Sequence, residues 1–103
     1  MIDLAPYRPL FLSEARKKLE EARGLLAAGD EAGMRMCFHT LRGMSGTMGY
    51  QGIATLAAAL EEGRGCPHQV GEALKVLEGQ MIEVEAGNLP ASAPDLERRL
   101  RGT

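Results

Sequence analysis

Four stretches of this chain repeat apolar residues at alternating spacings of three and four, the rhythm of a helix that buries one stripe. Leu12, Ala15, Leu19, Ala22 and Leu26 mark the first, over about residues 6 to 28, with Glu14 placed one turn before Lys18 on its polar side. Gly29 stops it, and Asp30 offers a side-chain acceptor to the free amides of the next helix. Met34, Phe38, Leu41, Ser45 and Met48 form the second stripe, which closes near Gly49. A third, from about 50 to 62, sets Ile53, Leu56, Ala57 and Leu60 on one face and ends at Gly63 and Gly65. Pro67 suits the first turn of a fourth helix, where a missing amide donor costs nothing, and Val70, Leu74, Leu77, Met81 and Val84 continue the pattern. No segment alternates with the period of a strand. Four amphipathic helices with short connections predict an all-α fold, an antiparallel up-down-up-down four-helix bundle.

Beyond Gly87 the composition changes. Pro90, Ala91, Ser92, Ala93 and Pro94 read as a linker, followed by an arginine-rich segment from Asp95 to Arg101 with Leu96 and Leu100 one turn apart. The expected division is therefore a bundle over 1–87 and a linker with a short basic helical tail over 88–103. The tail reads either as a fifth, weakly packed helix or as a tether to further domains of a longer chain.

Composition narrows the function. A chain of 103 residues, 45% hydrophobic and 25% charged, holds one domain with one core. With 14 acidic and 12 basic side chains its formal charge is −2, which offers no excess positive field for nucleic acid. No apolar run approaches the roughly 20 residues that span a bilayer, and the N-terminus lacks a signal-peptide pattern, so neither nucleic acid nor membrane is an expected partner and a cytoplasmic location is expected. The two cysteines, Cys37 and Cys66, are read as free thiols. Each forms a Cys-x-His pair, with His39 and His68, but Cys37 and His39 lie about 200° apart around a helix. No metal is expected, and the six methionines read as core filler, with Met44 as the one placed to contribute to docking.

The chemistry concentrates on the second helix. His39 falls roughly 150° from the centre of the buried stripe, so it should face water. Arg35, Arg42, Gly43 and Gly46 share that side within one turn of it. Two glycines inside a helix each cost about 1 kcal/mol relative to alanine, and beside an exposed imidazole they suggest close approach by another molecule.

The run from His39 to Tyr50, HTLRGMSGTMGY, resembles the signature of histidine-containing phosphotransfer domains: histidine, any residue, leucine, lysine or arginine, glycine. Its trailing GTMGY is similar to the N-terminal phosphotransfer domain of the chemotaxis histidine kinase CheA, and the resemblance spans about residues 8 to 87. It implies that His39 accepts a phosphoryl group and that Arg42, in place of the usual lysine, neutralises phosphoryl oxygens with a planar guanidinium. It further implies that Gly43 leaves the imidazole accessible and that Glu61, in the run LAAALEE, hydrogen-bonds the other imidazole nitrogen. Arg35 and Gly46 are accessory candidates. CheA domains often carry a second histidine where this chain has Ala58, which implies a smaller hydrogen-bond network.

Such a site demands one imidazole nitrogen with a free lone pair and the other protonated; a carboxylate on the protonated nitrogen fixes that tautomer and raises the basicity of its opposite. The chain carries neither a GxxxxGK[ST] loop nor a kinase-type glycine-rich loop. No cofactor is expected in this domain, and ATP is assigned to a separate kinase domain, in the same or a partner chain. A response-regulator receiver domain, CheY-like or CheB-like, would take the phosphoryl group onto an aspartate. A phosphocarrier domain of a CheA-like kinase is thus the leading expectation. A free-standing phosphorelay protein or a helical docking module without chemistry are the alternatives.

Overall fold

The computed structural model describes residues 3–102. Among them lie five α-helices, a 3-10 turn at Ala5–Tyr7, and no strand. The helices are α1 (Arg8–Ala28), α2 (Glu31–Met48), α3 (Gln51–Glu61), α4 (Pro67–Glu85) and α5 (Pro94–Arg101). The first starts slightly later than the apolar pattern predicts, because the tight turn precedes it and Pro9 occupies its opening turn.

Sequence punctuation explains the boundaries. Gly29 takes a left-handed conformation, φ 72°, and the amide of Asp30 donates back to Leu25 O at 2.9 Å, closing α1. The Asp30 carboxylate then accepts from the Gly33 amide at 2.9 Å as the N-cap of α2. Gly49, φ 80°, ends α2 in the same way, with Tyr50 N on Ser45 O at 2.9 Å. Cys66 caps α4, and the Gln69 side chain returns to the Cys66 amide at 3.0 Å.

The predicted stripes are the core. Leu12, Ala15, Leu19 and Ala22 of α1, Met34, Phe38 and Leu41 of α2, Ile53, Leu56, Ala57 and Leu60 of α3, and Leu74, Leu77, Met81 and Val84 of α4 belong to one buried cluster. Helix α1 touches α2 and α4, α2 touches α3, and α3 touches α4, so four helices close a ring around this core.

The C-terminal segment differs from the expectation of a weakly packed tail. Leu96 and Leu100 are 4% and 0% exposed, and α5 lies against α3 and α4. Burial of a leucine stabilises by about 1.5–3 kcal/mol, enough for two of them to fasten a short helix that is already covalently attached. The connecting segment is fixed too: the buried Gln80 amide donates to Gly52 O at 3.1 Å and to Ala91 O at 3.0 Å. Gly52 has no side chain because none would fit; a Cβ there would stand 2.7 Å from Pro90 O.

Helix α3 is consequently covered on two sides. Besides the predicted stripe, Gly52, Ala54 and Ala59 are buried. Positions 52, 55, 59 and 62 form a second stripe of helical spacing, and Thr55 Oγ1 on it donates to Glu97 Oε2 at 3.1 Å.

Candidate functional site

Helices α2 and α3 bring the site together. His39 stands near the middle of α2, its side chain 57% exposed. Glu61 is the last residue of α3, at 23% exposure. Their side chains meet, with His39 Nδ1 2.7 Å from Glu61 Oε1. An ionised carboxylate has no hydrogen to give, so the proton of this bond resides on Nδ1. In the neutral imidazole the lone pair is then on Nε2, at the opposite edge of the ring.

Arg42, one turn after His39, approaches the other carboxylate oxygen, Nη1 to Glu61 Oε2 at 2.9 Å. That contact is close enough for an ion pair, yet no donor is aligned on Oε2, which is buried without a hydrogen-bond partner. Glu61 thus holds the imidazole through a well-formed bond and Arg42 through a looser electrostatic one. With a side-chain exposure of 45%, Arg42 has room to turn outward. Its pairing with Glu61 is not part of the sequence expectation, which assigns it to the phosphoryl group alone.

Arg35 lies one turn before His39 and runs across Gly63; a Cβ on that glycine would sit 3.1 Å from Arg35 Nη1. Gly63 adopts φ +71°, so glycine is favoured there on backbone grounds as well. No ion pair engages Arg35 among the described residues, which leaves its charge uncommitted. Ala58, one turn before Glu61 on the same face of α3, is half-buried and adds no polar group.

Gly43 and Gly46 have helical backbones, and a Cβ on either would meet nothing within 4 Å. Neither is required by the packing of the free domain. Gly24, Gly71 and Gly79 have equally open surroundings, so openness alone does not mark a site. Position does: Gly43 is one turn from His39 and at the end of an apolar groove.

That groove lies between the start of α1 and the end of α2, lined by Leu4, Tyr7, Leu10, Phe11, Met44 and Met48 and reaching Gly43. Tyr7 and Leu10 are 55% and 62% exposed. Of these residues the sequence expectation includes only Met44 as a docking residue. The available signal is that Leu10 falls off the apolar stripe of α1, a large side chain with no place in the core.

The cysteines stand apart from this site. Cys37 is buried on α2 with Sγ 3.6 Å from Glu21 Oε2, and burial, followed by the Glu21 hydrogen bond and charge, pushes its thiol above the ordinary range. It points away from His39. Cys66 is exposed. No group of three or more His, Cys, Asp or Glu side chains among the described residues is arranged to hold a metal ion. Nor is any helix there long and apolar enough to cross a membrane.

Comparison with known protein families places the chain. The family model described as the Hpt domain covers residues 7–101, from the end of the 3-10 turn to the end of α5. No curated protein and no solved structure gave a match.

Proposed function

Because this chain belongs to the Hpt domain family, phosphotransfer modules of phosphorelay signalling, we propose that His39 is its phosphoryl carrier and that Glu61 sets the imidazole for attack. The observation that carries this reading is the 2.7 Å bond from His39 Nδ1 to Glu61 Oε1, which leaves Nε2 as the nucleophile on the exposed edge.

The step is a displacement at phosphorus. The Nε2 lone pair forms the N–P bond while the bond between the γ-phosphorus and the bridging oxygen of ATP breaks, and ADP leaves with that electron pair. The Nδ1 proton stays on its bond to Glu61, where the carboxylate balances the positive charge that develops on the ring. Arg42, released from Oε2, and Arg35, in no ion pair among the described residues, supply neutralising charge to the phosphoryl oxygens. In the return step a receiver aspartate oxygen attacks the phosphorus and the N–P bond breaks, restoring neutral imidazole. Alignment of both partners needs an open surface, which Gly43 and Gly46 provide, and the groove beside Gly43 offers apolar contact area.

The wider setting is proposed from the motif. The GTMGY segment following the histidine favours a CheA-like chemotaxis kinase as parent, with the ATP-binding domain elsewhere and CheY-like or CheB-like receivers as acceptors, in the cytoplasm. Short connections between successive helices, together with the ring of neighbouring contacts, support an up-down-up-down antiparallel course for α1 to α4.

The direct test is incubation with radiolabelled ATP and the kinase core of a CheA protein. The native chain is expected to acquire an acid-labile, alkali-stable label, and His39→Gln none. A label that persists in His39→Gln places the acceptor elsewhere.

A further inference from the structure

Glu61 must hold its place at the very end of a short helix. Helix α3 has 11 residues and no basic side chain in its last turn. Helices of that length are marginal by themselves, and terminal turns fray first. The bond from Glu62 N to Ala58 O, in that turn, is a long 3.3 Å. Leu60 anchors one side of this end in the core; the side that carries Glu62 is left to a fixture outside the four-helix core.

The geometry points to α5 as that fixture: we infer that Arg101 is a positioning residue, holding the last turn of α3 through Glu62 and thereby the Glu61 carboxylate against His39 Nδ1. Arg101 Nε donates to Glu62 Oε1 at 3.0 Å. Glu61 and Glu62 are consecutive, so about 100° of helical rotation separates them; one faces α2, the other α5. Arg101 is in turn braced by Glu97, Nη1 to Oε1 at 3.9 Å, and Glu97 is only 9% exposed and bonded to Thr55 on α3. Leu100 packs onto the loop that follows α3: a Cβ on Gly65 would lie 2.7 Å from Leu100 Cδ2. Helix α5 therefore grips α3 at Thr55, at Glu62 and at the loop beyond.

Side chains of Arg101 and Glu62 are 34% and 40% exposed, and ion pairs so accessible to water contribute little to global stability. The consequence of this pair is orientation. The inference rests on the reading of Glu61 as the group that fixes the His39 tautomer, and its test keeps the two separable.

Two measurements on the full chain suffice: the tautomer of His39 from imidazole nitrogen-15 shifts, and the rate of His39 phosphorylation by phosphoramidate, a donor that needs no kinase. In the native chain the Nδ1–H form is expected to dominate. Arg101→Ala should keep its helical spectrum, shift the population toward Nε2–H and slow labelling roughly three- to tenfold. Arg101→Lys, which retains a cation within reach of Glu62, should recover most of both. Glu62→Ala removes the same pair from the other side and is expected to reproduce Arg101→Ala, carrying the test if the arginine variant loses its fold. Native tautomer and rate in Glu62→Ala and in folded Arg101→Ala, with both altered in Glu61→Ala, overturn the positioning role and leave the phosphocarrier reading intact. No change in Glu61→Ala overturns the role of Glu61 itself and the inference with it.

Discussion

A single carboxylate at Glu61 serves two neighbours on α2, and the difference between the two contacts organises the site. Oε1 takes a well-formed bond from His39, while Oε2 has only the unaligned Arg42 guanidinium beside it. Turning the imidazole breaks an aligned bond, whereas turning Arg42 outward breaks none but takes away the cation beside a buried carboxylate oxygen. Gly43 belongs to the same functional scale. Its would-be Cβ meets nothing, so Gly43→Ala should stabilise the free domain by about 0.5–1 kcal/mol in urea denaturation while slowing transfer to a receiver. Greater stability with an unchanged transfer rate would mean that the glycine has no part in access. Periodicity alone places His39 toward water and its basic and glycine neighbours around it. The partnership with Glu61 is different, because two residues on separate helices leave no local spacing to reveal them; only the family resemblance supplies it. The Arg42–Glu61 contact escapes both, since a cation beside a nucleophile reads naturally as a phosphate ligand.

At the scale of elements, α3 decides the architecture. Its predicted stripe at Ile53, Leu56, Ala57 and Leu60 faces the four-helix core, and its second stripe at 52, 55, 59 and 62 receives the C-terminal segment. The second stripe is quiet in the sequence because glycine, threonine and glutamate carry no hydrophobic signal and one alanine carries little, and the small residues are there to admit backbone. Leu96 and Leu100 do show the turn spacing of an amphipathic helix, but two apolar residues in a proline-bounded, arginine-rich segment do not reveal which surface they cover. Gly52→Ala provides the test. With Pro90 O 2.7 Å and Ala91 O 2.9 Å from the new methyl, it should destabilise the domain by about 1–3 kcal/mol, the opposite sign to Gly43→Ala. The same urea titration reads both. A neutral Gly52→Ala would show that the 90–91 segment does not pack tightly on α3 in solution.

For the whole molecule, the division of labour follows from where charge and apolar surface lie. The four-helix ring holds His39 on its outer face; α5 packs against α3, whose last residue is Glu61; and the groove reaching Gly43 adds apolar surface one turn from the imidazole. The central claim is that the bond from His39 Nδ1 to Glu61 leaves the Nε2 edge of the imidazole free. Determining the phosphohistidine isomer after phosphorylation by kinase core and ATP, through alkaline hydrolysis and separation of the amino acids, tests that claim most directly. The account predicts phosphorus on Nε2 of His39 alone; phosphorus on Nδ1, or on any other residue, would contradict it.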